Sequence, residues 1–250
     1  MLLNLHLTMS SGQPPEFVWT LAKGERYFRY LNGKKIYIWQ QNGKLLCTRG
    51  FEKYAENLLR AEDDLSAIYR MISTDAVMGR ALEKYRGLRL TRSDPWETLV
   101  CFICSINSNI PRIRKNVQSL MRDGEILSPE EMARGDLSAC RLGYRCEYLQ
   151  ETARLVSSSF DLEKIGRMDY EDAREALMEL PGVGPKVAEC VLLFGYGFLE
   201  AFPVDVWIAR AMEKYYRRKT QKEIREFARE RWGEYAGYAQ QYLFCYARGV

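Results

Sequence analysis

The stretch LPGVGPKVAEC, residues 180–190, sets two glycines and two prolines around a single lysine. DYEDAREALME, residues 169–179, precedes it with helical spacing, and Pro185 is placed to open a second helix. The segment therefore reads as two short helices joined by a tight turn, a helix–hairpin–helix over about 169–196. Gly182 and Gly184 allow a tight turn and the close approach of another backbone. The free N–H groups of such a turn can bind a phosphate, although a plain αα-turn has the same grammar. Lys186 falls in the first turn of the second helix, where the helix dipole disfavours its ammonium. Desolvation there would make it a nucleophilic amine. A surface lysine contacting phosphate is the alternative. Further on, AFPVDVWIARAM (201–212) places Asp205 just before an amphipathic helix, as an N-cap or as a functional carboxylate.

Outward from the hairpin, helical patterns continue near 145–158, 205–217, 220–231 and 235–248. Asp94-Pro95-Trp96-Glu97 and Ser128-Pro129-Glu130-Glu131 both read as helix starts, with a cap, Pro at the first position and Glu at the third. The first fifty residues instead predict an antiparallel meander of about five strands. Leu3, Leu5, Leu7 and Met9 alternate with polar residues; FVWTL, RYFRYL, KIYIWQ and LLCTR follow. Asn32-Gly33 and Asn42-Gly43 suit two-residue hairpin turns. The expected fold is α+β: an N-terminal antiparallel β-sheet with flanking helices over residues 1–93, and a larger all-α body over 94–250.

Composition narrows the chemistry. The 250 residues are 47% hydrophobic, with a net charge of +4. That suits one enzyme-sized unit compatible with nucleic acid. His6 is the only histidine, which disfavours His-based triads and His-rich metal sites; it carries no assigned role. The seven cysteines read as free thiols of a reducing compartment, and Cys101 and Cys104 form a CxxC inside an apolar helical run, so buried thiols are expected there. No apolar run reaches the roughly 18 residues of a membrane span, and no secretion signal is read at the start. An intracellular monomer is the expectation.

LPGVGxK followed by PVD resembles the helix–hairpin–helix DNA glycosylases, in particular the lysine-bearing, lyase-competent branch. The likeness extends along nearly the whole chain. SGQ (11–13), DPWETLVCFICSINSNIPRI (94–113), LGYRCEYL (142–149) and AGYAQQYLF (236–244) are similar, in order, to segments of eukaryotic-type 8-oxoguanine DNA glycosylases. The resemblance implies that Lys186 attacks the sugar C1′ and then forms a Schiff base, with Asp205 stabilising the positive charge that develops there. It implies that the Gly12 carbonyl accepts from N7–H of the lesion, that Cys190 and Phe244 sandwich the extruded base, and that Gln240 binds its Watson–Crick edge. Asn107, Asn109, Arg112, Tyr144 and Arg145 would meet the orphaned cytosine and the DNA, with Gly182, Gly184 and Trp207 on the backbone. The partner would be double-stranded DNA containing oxidised guanine, and the reaction would need no cofactor. A structural monovalent or divalent cation could sit on the backbone carbonyls of Met178, Leu180 and Val183.

The pattern also departs from the family. Trp207 stands where a His is common, Ser108 interrupts the Asn-rich turn, and Pro14-Pro15 follows SGQ. The chain lacks the four-cysteine cluster of the iron–sulfur endonuclease III-type branch. A monofunctional alkylpurine glycosylase of the same fold would lack Lys186. A noncatalytic helix–hairpin–helix DNA-binding protein would need neither Lys186 nor Asp205.

Overall fold

The computed structural model describes residues 1–249. Strands β1 (Thr20–Ala22), β2 (Arg26–Leu31), β3 (Lys34–Gln41) and β4 (Lys44–Cys47) form an antiparallel meander in sequence order. Asn32 and Gly33, and again Asn42 and Gly43, all take positive φ, as a two-residue turn between right-twisted strands requires. Tyr27, Arg29, Ile36 and Ile38 are buried on the inner face. Arg29 makes a paired contact there with Glu97, in the first turn of the helix Pro95–Cys104, which locks the sheet to the helical body.

The sheet has four strands rather than five, because the first two expected strands are largely helical. Residues Leu5–Met9 form a helix capped by Asn4, whose side chain accepts from the Leu7 N–H at 3.0 Å. Leu5, Thr8 and Met9 are buried together, an i, i+3, i+4 set. Leu5 and Met9 satisfy the period of a helix as well as that of a strand, and the cap decides between them. His6 uses Nδ1 to meet the Tyr27 hydroxyl at 2.7 Å. FVWTL divides in the same way: Pro15 opens the short helix Pro15–Val18, and only Thr20–Ala22 joins the sheet. A small hairpin, Met121–Arg122 with Glu125–Ile126, was not expected. Its turn is Asp123-Gly124, with φ of 52° and 82°, a hairpin signal that is present in the sequence.

The helical body follows the expected boundaries closely. Arg145–Ser158, Tyr170–Met178, Pro185–Val191, Val206–Tyr216, Gln221–Trp232 and Ala236–Arg248 are helices, and the second hairpin helix runs on as a π-turn over Leu192–Tyr196. Asp94 caps its helix through the Glu97 N–H, and Ser128 and Glu131 form a reciprocal capping box. One apolar core passes through both parts of the chain. Tyr69 meets Tyr242 at 2.6 Å, and Tyr85 donates to the Cys245 carbonyl at 2.9 Å, so the helices before residue 93 clasp the last helix. Cys101 and Cys104 are fully buried and burial pushes both thiols up, that of Cys104 to about 12. All seven cysteines are free. No helix among the described residues is long and apolar enough to cross a membrane.

Candidate active site

The hairpin turn is shaped by Gly182. Its φ is +76°, and a Cβ there would lie 2.6 Å from the Tyr148 ring, so conformation and space both demand glycine. Gly184 differs: its backbone is extended, and nothing in the protein lies within 4 Å of a Cβ added there. The fold makes no use of the missing side chain at Gly184, and the residue faces a cleft of about 1140 Å³. The same cleft is lined by Gly12, Asn107, Tyr144, Lys186, Cys190, Asp205, Trp207, Gln240 and Phe244. Nearly every expected site residue thus converges on one cavity from six separate segments.

Lys186 projects into this cleft with Nζ 2.9 Å from the Ser105 hydroxyl and 4.6 Å from the centre of the Phe102 ring. Both partners come from the end of the helix Pro95–Cys104 and its C-cap. Hydrogen bonding to one oxygen orients the amine, and the ring face provides an apolar wall that still tolerates the cation. Asp205 caps Val206–Tyr216, accepting from the Ile208 N–H at 2.8 Å through one carboxylate oxygen. Capping and cleft lining therefore coexist in this residue. Cys190, on the same helix face as Lys186, is buried, and burial pushes its thiol up to about 12 against the pull of Lys186. It is a neutral thiol at physiological pH, suited to packing against a ligand rather than attacking one.

The segment bearing Asp205 is fixed by a residue that the sequence reading passed over. Glu189 is 2% exposed. It accepts from the Phe202 N–H at 2.9 Å, Tyr170 Oη at 2.6 Å and Arg174 Nε at 3.0 Å, with Arg225 Nε 3.5 Å away. Glu189 shares its helix with Lys186, and Phe202 lies in the buried run leading to Asp205, so this carboxylate ties the two candidate catalytic segments together. Replacing it with alanine leaves the half-buried Arg174 and the buried Phe202 N–H without their partner. Glu189→Ala is expected to lose about 3–5 kcal/mol of stability, read as a lowered urea midpoint, with Glu189→Gln losing distinctly less.

The glycine loop is equally constrained. Gly12 has φ of +81°, and its N–H donates to Glu16 Oε2 at 2.6 Å, while Arg114 holds Glu16. A Cβ on Gly12 would lie 2.9 Å from the Phe244 ring. Gln13 is buried and bonds Thr8, Arg89 and Thr91, and Gln241 donates to the Ser11 carbonyl at 2.8 Å. Gln240 donates to the Pro203 carbonyl at 3.1 Å, but its Oε1 is buried with no partner.

The expected DNA-facing set divides. Tyr144 is 49% exposed at the rim, and its hydroxyl accepts from Asn107 Nδ2 at 2.9 Å; Asn107 itself has φ of +47°. Asn109 caps the helix Ile110–Ser119 through the Arg112 N–H. Trp207 also lines the cleft and is 41% exposed. Arg112 is exposed beside a smaller basic concavity that also holds Lys115 and Arg141. Arg145 departs from expectation. It is 3% exposed and donates to the carbonyls of Ile106 (2.6 Å), Leu142 (2.9 Å) and Asn107 (3.1 Å). In this conformation it props up the Asn107 turn from behind rather than reaching outward. Met178, Leu180 and Val183 line the hairpin edge of the cleft. Among the described residues no cluster of three or more His, Cys, Asp or Glu side chains is placed to hold a metal. Backbone carbonyls at the hairpin are the donor type that suits a hard cation.

A small antiparallel sheet on a larger helical body, a glycine hairpin, and a lysine and a carboxylate lining one cleft define a class also visible in known proteins. Residues 100–234 match the HhH-GPD superfamily of base excision DNA repair proteins, and residues 2–99 match the 8-oxoguanine DNA glycosylase N-terminal domain. The Methanothermobacter thermautotrophicus protein named "Probable N-glycosylase/DNA lyase" is 32% identical over 98% of this chain and 93% of its own. The solved structure of MBOgg1 with a low-affinity DNA ligand superposes with a TM-score of 0.91, at 33% identity, covering 99% of this chain and 92% of that one. A Clostridium acetobutylicum 8-oxoguanine glycosylase/lyase, solved with double-stranded DNA containing cytosine opposite 8-oxoguanine, gives 0.85 at 28% identity over 93% and 88%. The chain belongs to the HhH-GPD superfamily of base excision DNA repair enzymes, on its branch of 8-oxoguanine-type N-glycosylase/DNA lyases.

Proposed function

We propose that the protein excises 8-oxoguanine from double-stranded DNA, preferentially opposite cytosine, and then nicks the strand by β-elimination. The observation that carries this reading is the shared cleft of Lys186 and Asp205, with the orphan acceptor of Gln240 buried beside Gly12, Cys190 and Phe244. A glycosylase must extrude its base into a pocket and read it there. Gln240 Oε1 is an acceptor awaiting N1–H or the exocyclic amine of a guanine-type base. The Gly12 carbonyl would accept from N7–H, a proton that 8-oxoguanine has and guanine lacks.

In the reaction, the Lys186 amine donates one N–H to Ser105 and attacks C1′ with its lone pair. The N–C1′ bond forms as the glycosidic bond breaks, and the bonding pair leaves with the base. The Asp205 carboxylate stabilises the cationic character at C1′ as the bond breaks. The departing base takes up the proton that the new ammonium sheds, and cleavage of the C1′–O4′ bond then gives a protonated imine between Lys186 and C1′, with O4′ taking a proton from water. Removal of a C2′ proton then expels the 3′-phosphate. A structural cation on the carbonyls of Met178, Leu180 and Val183 would help the hairpin meet a DNA phosphate. Borohydride reduction on duplexes containing 8-oxoguanine is the direct test: a covalent protein–DNA adduct is expected, and base release without any adduct would exclude the lysine mechanism.

Cytosine discrimination falls first to Arg112, whose guanidinium is exposed, with Tyr144 as the wedge at the rim and Arg145 supporting the turn. Arg112→Ala is expected to cost roughly 1–3 kcal/mol opposite cytosine and to flatten the opposite-base preference. Arg145→Ala is expected to lower thermal stability as well. Excision rates opposite each of the four bases check this; an equal loss opposite all four would place Arg112 on the phosphates.

A further inference from the structure

Arg248, in the last turn of the final helix, has a side chain that the fold does not use up. Its guanidinium lies 5.0 Å from the centre of the Phe244 ring, and the residue lines the cleft. Its Nη1 is buried without a hydrogen-bond partner, and among the described residues no carboxylate pairs with it. A guanidinium serving only the helix C-terminus would leave that nitrogen in water. Holding a donor dry and unpaired is costly, so such groups call for an explanation in the ligand. The same nitrogen lies 3.7 Å from the position a Cβ would take on Gly12, which places it against the loop whose carbonyl faces the base.

Three residues that line the cleft carry a buried polar atom without a partner: Ser108 at the Asn-rich turn, and, of opposite kind, the acceptor Gln240 Oε1 and the donor Arg248 Nη1, both on the last helix. An 8-oxopurine offers the matching pattern. Its N7–H is flanked on one side by the C8 carbonyl and, in the guanine series, on the other by the C6 carbonyl. With the Gly12 carbonyl on N7–H, a donor adjacent to Gly12 meets one of those oxygens. Resting on the glycosylase reading above, we infer that Arg248 is a specificity-determining residue that donates from Nη1 to a carbonyl oxygen flanking N7 of the extruded base. It would thereby join a charge-assisted donor to the neutral Gly12 acceptor, so that the oxidised edge is read by a donor and an acceptor together.

The test compares wild type, Arg248→Ala and Arg248→Lys in two measurements. One is the single-turnover excision rate on an 8-oxoguanine:cytosine duplex. The other is equilibrium affinity for the same duplex carrying a tetrahydrofuran abasic site, which keeps the phosphates and deletes the base. Arg248→Ala is expected to lose about ten- to a hundredfold in excision rate, with abasic-site affinity within about twofold of wild type. Arg248→Lys, a shorter reach with a single point of donation, recovers only part of the loss. Retained abasic-site affinity also reports that the variant is folded. Excision by Arg248→Ala at the wild-type rate overturns the inference, as does an equal loss on the abasic duplex, which would assign Arg248 to the backbone. A wild-type protein that leaves 8-oxoguanine in place overturns the glycosylase reading itself. Repeating the comparison with 8-oxoadenine, which keeps the C8 carbonyl and replaces the C6 carbonyl by an amine, separates the two oxygens: an unchanged penalty assigns C8, and a lost penalty assigns C6.

Discussion

Lys186→Gln is expected to release no 8-oxoguanine above background, a fall of roughly 10³-fold or more, and to give no borohydride-trapped adduct. The substitution is chosen to keep the site's shape. Glutamine keeps a polar end one bond short of the Ser105 hydroxyl that Lys186 contacts at 2.9 Å, and it loses the contact with the Phe102 ring, worth about 0.5–1 kcal/mol at an exposed site and more when desolvated. Fold stability should therefore shift only slightly. Affinity for lesion DNA should largely persist, because phosphate contacts supply most of the binding free energy. Adduct formation by Lys186→Gln would transfer the nucleophile role to another amine. Loss of binding together with activity would instead make Lys186 a phosphate ligand, the reading that its sequence position alone left open.

What was legible in the sequence was what is decided locally. The hairpin was readable because Gly182, Pro185 and the caps Asp94, Ser128 and Asp205 act within a few residues of themselves. The N-terminal helices were missed where local signals competed. Leu5 and Met9 fit both periods, and Asn4 and Pro15 carried the deciding information as a cap and a first-turn proline. The Asp123-Gly124 turn joins strands of only two residues each, too short to show any alternation. Most residues singled out by a motif line the cleft, whereas those that act across the fold carry no local signal. Ser105 reaches Lys186 only because the hairpin packs on the helix Pro95–Cys104, and Glu189 reads as an ordinary helix residue until Phe202, Tyr170 and Arg174 converge on it. Arg145 shows the converse: its motif pointed outward, while the carbonyls of residues 106, 107 and 142 claim its guanidinium.

Asp205→Asn is the second decisive substitution, because it separates the cap that this residue forms from the catalytic role proposed for it. As a cap, Asp205 needs only an acceptor for the Ile208 N–H at 2.8 Å, and the asparagine oxygen supplies one. The loop behind it is held independently: Ala201, Phe202, Pro203 and Val204 are buried, and the Phe202 N–H is bound by Glu189. Thermal midpoint and urea unfolding should accordingly stay close to wild type, within about 1 kcal/mol. As a catalytic group, Asp205 needs its charge, since only a carboxylate opposes the cation that develops at C1′. In a cleft partly shielded from water that interaction is strong, and its removal is expected to slow single-turnover excision by roughly 10²–10³-fold. Lys186 remains in place in this variant, so slow trapping should still be detectable after long incubation. That outcome distinguishes a missing electrostatic partner from a missing nucleophile. An excision rate equal to wild type would reduce Asp205 to a helix cap. A large loss of stability would show that the carboxylate, rather than its shape, holds the Pro203–Val206 segment against the cleft.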